Sequence, residues 1–127
     1  MNIVQFRDFC LKKIGATESF PFDNDTLAFK VKGKIFALTS LQSWESGNPQ
    51  VNLKCDPEKA QHLRDEFPER ILPGYHMNKT HWNSVVMANS NLSEKKKFYL
   101  VNHSHELVVS KLLKKERTEI KELRKNQ

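Results

Sequence analysis

Four glycines in 127 residues are too few and too scattered to form a glycine-rich loop that grips phosphate. Two cysteines, Cys10 and Cys55, make no disulfide framework, and a chain of this length can bury a core without one. Both read as free, buried thiols in a reducing, cytoplasmic setting. No apolar run approaches the roughly 18 residues that a membrane span needs. The opening stretch carries an early acid, Asp8, and lacks the apolar region and cleavage pattern of a signal peptide. Charge of one sign is scarce in most of the chain. The net charge is +6, but residues 1–110 hold 14 Lys/Arg against 12 Asp/Glu, while residues 111–127 hold 7 against 3. The excess is terminal, so basicity alone argues poorly for a polyanion-binding body.

What the chain does have is a set of clear element signals and eight phenylalanines to fill one small core. Ile3, Phe6, Cys10 and Ile14 fall at helical spacing, with Asn2 as a cap and Gly15 as a stop. Thr17 to Asp25 reads as a loop with a short strand at its edge. Leu27, Phe29 and Val31 alternate with Thr26, Ala28 and Lys30. Lys32-Gly33 turns the chain, and Lys34 to Thr39 reads as the returning strand. A polar loop at 43–49 leads to a third strand marked by Val51, Leu53 and Cys55. Asp56, Pro57 and Glu58 open a helix that buries Ala60, Leu63 and Phe67. Residues 71–82 read as irregular, and Ser84 to Ala88 as another strand. Ser93 caps a last long helix through Phe98, Val101, Val108 and Leu112, with Ile120 and Leu123 able to continue it. The expected fold is α+β, a compact two-layer sandwich with a twisted, mostly antiparallel sheet packed by helices. One domain spans 1–113, and 114–127 form a basic C-terminal helical extension or tail.

Several blocks in order carry a family likeness. Phe20-Pro21-Phe22, Phe29-Lys30-Val31 with Gly33 to Phe36, Asn52 to Pro57, and Pro73 to Lys79 resemble the signature blocks of the MmcQ/YjbR-like family. Trp82-Asn83 and Ser104 with Leu107-Val108 resemble its later blocks. The resemblance covers roughly residues 2–113. It implies a fold similar to the bacterial frataxin-like sandwich and a DNA-binding label, with no catalytic residues to carry over. His105 stands where the family pattern has an aromatic, often Tyr. The frataxin-like fold imports no iron chemistry, because fold is not function.

Five constellations compete for a role. Lys30, Lys32 and Lys34 on the hairpin, together with Lys79, form the expected nucleic-acid contacts; such phosphate contacts position a protein without specifying sequence. The bland reading is a solubilising lysine rim that protects a sheet edge. Tyr75, His76, Asn78, His81 and Trp82 form the densest polar-aromatic segment and the expected small-ligand or protein-binding site; packing under a loop is the structural alternative. A metal site finds little support. His76 and His81 are five apart, and His103 and His105 do not share a helical face. Cys55 before a helix start could be a stabilised thiolate, but its strand alternation reads as burial. The run from Lys111 to Lys125 reads as a solvated helix laced by Glu116, Glu119 and Glu122, with non-specific nucleic-acid affinity as its functional alternative. The expectation is a cytoplasmic, non-enzymatic monomer. It needs no cofactor and no membrane, and its partner is DNA held weakly and salt-dependently, or else a protein or small ligand.

Overall fold

The computed structural model describes residues 1–74, 77–88 and 91–126. Among these residues, six strands and five helices follow one another as α1 Ile3–Leu11, β1 Ala16–Ser19, β2 Thr26–Val31, β3 Lys34–Ser40, α2 Leu41–Glu45, β4 Gln50–Lys54, α3 Pro57–Glu66, β5 Ile71–Pro73, β6 Trp82–Val86, α4 Glu94–Ser110 and α5 Lys114–Lys125. The strands form one sheet in the order β1-β2-β3-β4-β6-β5, and every neighbouring pair is antiparallel. This is the α+β architecture expected from the sequence, a twisted antiparallel sheet packed by helices.

Local chemistry explains most of the boundaries. The Asn2 side chain accepts from the Gln5 amide at 2.8 Å while Gln5 reaches back to the Asn2 amide, a reciprocal capping box. Asp56 caps α3 through the Lys59 amide at 3.2 Å, and Ser93 caps α4 through the Lys96 amide at 3.1 Å. At the β2–β3 turn Lys32 and Gly33 have φ of 51° and 78°. Both central residues therefore adopt the left-handed conformation that matches the twist of a two-residue hairpin.

Alternation sorts the sheet into two faces. Leu27, Phe29, Val51, Leu53, Val85 and Ile71 face the core with the apolar sides of the helices. Phe6 of α1 meets Phe29 edge-on, with ring centroids 5.7 Å apart, and packs on Trp44 of α2 at 5.5 Å. Asn83 reaches the Ala60 carbonyl of α3 at 3.4 Å. Ile120 of α5 joins the same core. The second face carries Thr26, Leu38, Ser40, Gln50, Asn52 and Ser84, which line a concave cavity of about 660 Å³.

A β-bulge breaks the alternation once. Phe29 pairs with Ala37, but Lys30 pairs with Ile35, so Phe36 is an extra residue on β3. The bulge lets Phe36 join Ala37 in the core. There its ring meets Phe29 at 6.4 Å and His105 at 5.1 Å.

The structure corrects the sequence reading in three places. A short helix at 41–45 takes up the first residues of the polar loop expected at 43–49, because Leu41 and Trp44 lie three apart and both pack against the core. Residues 71–73 form an edge strand within the stretch read as irregular, and β6 begins at Trp82 rather than Ser84. The strand at 71–73 is only three residues long, too short to display alternation, and contains Pro73, which only an edge position tolerates. Finally, the last helix does not continue past Ser110. A break at Lys111–Leu113 starts α5 afresh. A single helix would overrun strands of three to seven residues. Breaking it brings Ile120 back to Gly15, which has φ +72°, and to the core.

Candidate binding cleft

The bulge that moves Phe36 into the core also opens the sheet beyond it. Pairing of β3 with β4 stops at Ala37 and Leu53. Past that point Ser104 of α4 stands between the two strands. Its Oγ accepts the Lys54 amide at 2.9 Å and donates to the Phe36 carbonyl. One hydroxyl thus satisfies two backbone groups that leave the ladder, as buried polar groups require. The start of β3, the end of β4, the start of β6 and the last turn of α4 then surround a cleft of about 520 Å³. Its walls are Lys34, Ile35, Lys54, Met77, Trp82, Val108 and Lys111, with Gly33 at the hairpin tip.

The electrostatics of this cleft are one-sided. Lys34, Lys54 and Lys111 border it, and among the described residues no carboxylate does. None of the three lysines takes part in an ion pair among the described residues. Beneath them Ile35, Met77, Val108 and the half-buried Trp82 ring make an apolar floor. Lys54 and Trp82 are direct cross-strand partners. Trp82 is held by a close backbone approach. The Gly74 amide donates to the Trp82 carbonyl at 3.0 Å, and a Cβ at position 74 would lie 2.9 Å from Trp82 Cβ. Three ammonium groups around an indole can hold a phosphate while the ring stacks on a planar group.

The residues singled out from the sequence scatter around this centre. Lys34 and Trp82 line the cleft. Lys30 is half-buried on β2 and shares the sheet face of Ile35, its cross-strand partner. Lys32 turns away to an ion pair with Glu119 of α5. Lys79 borders a different cavity of about 560 Å³ beside Arg64, whose guanidinium donates to the Lys79 carbonyl at 3.1 Å. Asn78 serves its own loop: its side chain accepts the Thr80 amide at 2.8 Å, and its carbonyl accepts the His81 amide at 3.1 Å. His81 is exposed, and its carbonyl receives the Cys55 amide at 2.8 Å. Tyr75 and His76 lie outside the described residues.

Sequence reasoning missed Lys54 and gave Lys111 only a place in a terminal charge run. Lys54 carried a usable signal, since it alternates with buried Val51, Leu53 and Cys55 and so points to the outer face. Its convergence with Lys34 and Lys111 needs the tertiary topology.

The remaining reactive groups are not prepared for chemistry. Burial pushes the Cys55 thiol up to about 11, with Lys59 opposing more weakly, and raises the Cys10 thiol still further. Neither is a ready thiolate. Among the described residues, no group of three or more His, Cys, Asp or Glu side chains could hold a metal ion. No helix among them is long and apolar enough to cross a membrane.

Comparison with known proteins places these features in context. A family model described as YjbR matches residues 11–107. The chain is 40% identical over 102 residues to the uncharacterized protein YbdF of Escherichia coli O157:H7, covering 80% of each. It is 32% identical over 117 residues to the uncharacterized protein YjbR of Escherichia coli K12, covering 92% of this chain and 95% of that one. Among solved structures, the Deinococcus radiodurans protein DR2400, described as a DUF419 domain, superposes with a TM-score of 0.84 at 34% identity, covering 94% of this chain and 87% of that one. A Pseudomonas syringae protein superposes with a TM-score of 0.67 at 29% identity, covering 85% of this chain and 99% of that one.

Proposed function

The chain belongs to the YjbR family, and from that premise we propose that it is a non-enzymatic nucleic-acid-binding protein whose contact surface is the Lys34–Lys54–Lys111 cleft. The observation that carries this reading is the convergence of three lysines, from β3, β4 and the end of α4, on one apolar floor containing Trp82, with no carboxylate among the described residues of its rim. A protein that needed lysines only for solubility would scatter them and interleave acids, as α5 does with Glu116, Glu119 and Glu122. Phosphates contribute the affinity in such a surface, and the indole offers a stacking platform that tolerates any base.

Fluorescence anisotropy with labelled single-stranded and duplex DNA, titrated across a range of salt, tests the proposal. Three phosphate contacts predict a slope of log affinity on log salt of about −2 for a single strand and nearer −3 for a duplex. Replacing Lys34, Lys54 and Lys111 with Gln should remove most of that slope and most of the binding. Absence of binding at low salt, or binding unchanged in the triple variant, rejects the reading.

A second reading rests on the cleft's volume, which falls in the range of small-ligand sites. On that reading the same lysines hold a small phosphorylated molecule against Trp82. A mononucleotide that saturates the cleft and excludes an oligonucleotide without added affinity from the longer strand would favour it.

A further inference from the structure

The second cavity of interest lies on the same face of the sheet as Lys54 and Trp82. Asn52 stands two residues before Lys54 on β4, and its partner Ser84 stands two residues after Trp82 on β6. Side chains two apart along a strand share a face and are separated by about 7 Å. The cleft and this groove are therefore neighbouring parts of one surface.

The groove differs in chemistry from the cleft. Among the described residues no charged side chain lines it, and the nearest carboxylates, Asp23 and Asp25, are bonded to its Thr26 and Ser40 hydroxyls. Its hydroxyls are mostly committed within the protein. Thr39 donates to the Gln50 carbonyl at 2.6 Å and accepts from the Trp44 indole at 2.9 Å, and Ser43 donates to the Ser40 carbonyl at 2.7 Å. Its carboxamides are not. Among the described residues the side chains of Asn48 and Gln50 make no hydrogen bond, and Asn52 uses only its Oδ1, as acceptor from Ser84. At the rim stands Phe22, 67% exposed, and Leu38 lies on the floor.

We propose that this groove is a base-reading site for a single nucleic-acid strand, in which Gln50 and Asn52 hydrogen-bond the edge of an unpaired base that stacks on Phe22 while the flanking phosphate sits at Lys54. The proposal rests on the nucleic-acid reading of the cleft and adds to it the strand class and the place where bases are held. A carboxamide offers a donor and an acceptor side by side, which is the pattern of a base edge. A neutral groove gives no reason to attract the phosphates themselves, so it takes the uncharged part of the ligand. A recessed site of this kind needs a base that is out of its stack, and single strands supply one without the cost of opening a duplex.

The test compares three ligands by anisotropy at one moderate salt concentration: a mixed-sequence single-stranded dodecamer, the same strand with every base removed, and the dodecamer paired with its complement. The expected result is that the base-bearing strand binds about tenfold more tightly than the abasic one. A Gln50→Ala, Asn52→Ala, Phe22→Ala variant should lose most of the difference between the two strands, retaining only the part that stacking on Trp82 supplies, and keep the salt slope. Circular dichroism and the urea midpoint of that variant establish that it is folded. Equal binding of base-bearing and abasic strands by the native chain overturns the groove proposal and the stacking on Trp82, and leaves only the phosphate contacts of the lysine cleft standing. Equal or tighter binding of the duplex overturns the single-strand assignment. Binding of neither strand overturns both readings. A neutral oligosaccharide that protects the groove amides from hydrogen exchange, where the dodecamer does not, assigns the groove to sugar and overturns the proposal as well.

Discussion

Ser104 accepts the backbone amide of Lys54 at 2.9 Å across 50 residues of sequence, and returns its own proton to the carbonyl of Phe36. This one hydroxyl ties α4 to both strands where they part, and so sets the width of the lysine cleft. Replacing Ser104 with Ala leaves a buried amide and a buried carbonyl without partners. The expected loss is about 2–4 kcal/mol of stability, read as a lower urea midpoint. In the folded fraction, oligonucleotide affinity should fall too, although no charge has been removed. Unchanged affinity and midpoint would show that the strands hold their separation without Ser104.

The packing of α5 gives a second test. Ile120 is 1% exposed and belongs to the core, and a Cβ on Gly15 would stand 2.8 Å from its Cδ1. Ile120→Ala should cost about 2–5 kcal/mol. Gly15→Ala should cost about 1–2 kcal/mol, chiefly through the left-handed backbone that Gly15 adopts, since the tip of Ile120 can move aside. Removing residues 114–127 should destabilise the domain as Ile120→Ala does. A truncated chain with the native melting temperature would show that α5 adds nothing to the core.

Lys97 supplies a third test. Its side chain is 1% exposed, and its ammonium donates to the Met87 carbonyl at 3.0 Å, the Ala88 carbonyl at 3.2 Å and the Glu94 carboxylate at 3.0 Å. It ties the end of the strand region to the first turn of α4. Lys97→Met keeps the bulk but orphans two carbonyls, for an expected loss of about 2–4 kcal/mol. The measurement is again chemical denaturation, and a neutral effect would mean that water replaces the ammonium.

The pH dependence of stability follows from two histidines. Burial lowers the His105 pKa, opposed by its 2.9 Å hydrogen bond to the Ile14 carbonyl. Burial likewise lowers that of His103, whose Nε2 accepts the Asp56 amide at 3.3 Å. Each is held neutral in the folded state and protonates more readily in the unfolded one. Below the ordinary histidine value near 6.5 the unfolded chain therefore binds more protons, and stability falls as pH falls until the folded-state values are reached. Each histidine contributes a slope of this sign, bounded by about 1.4 kcal/mol per pH unit. His105→Phe should remove one histidine's share. A variant with the native slope would exclude His105 as a contributor.

Much of the fold was legible because its signals are local. The caps at Asn2, Asp56 and Ser93 and the Lys32-Gly33 turn each depend on a few adjacent residues. The edge strand at Ile71 was not legible, since three residues ending in Pro73 show no period and gain their partner only from β6. The break at Lys111–Leu113 was hidden for a similar reason: the helical pattern runs on, and only the limited size of the sheet makes the chain turn back. At the candidate site, Lys34 and Trp82 could be singled out by type and position. Lys54 and Lys111 could not be joined to them, because β3, β4 and α4 meet there through the Phe36 bulge and the Ser104 bridge rather than through sequence proximity.

The most direct test of the nucleic-acid reading is residue-resolved mapping of the bound state. In ¹H–¹⁵N spectra, titration with a single-stranded dodecamer at moderate salt should shift the amides of Lys34, Ile35, Lys54 and Lys111 and the indole of Trp82. The amides of α5 beyond Lys114 should stay in place. Shifts confined to α5 would mean that the terminal charge binds the strand without the cleft, and an unchanged spectrum would contradict the account outright.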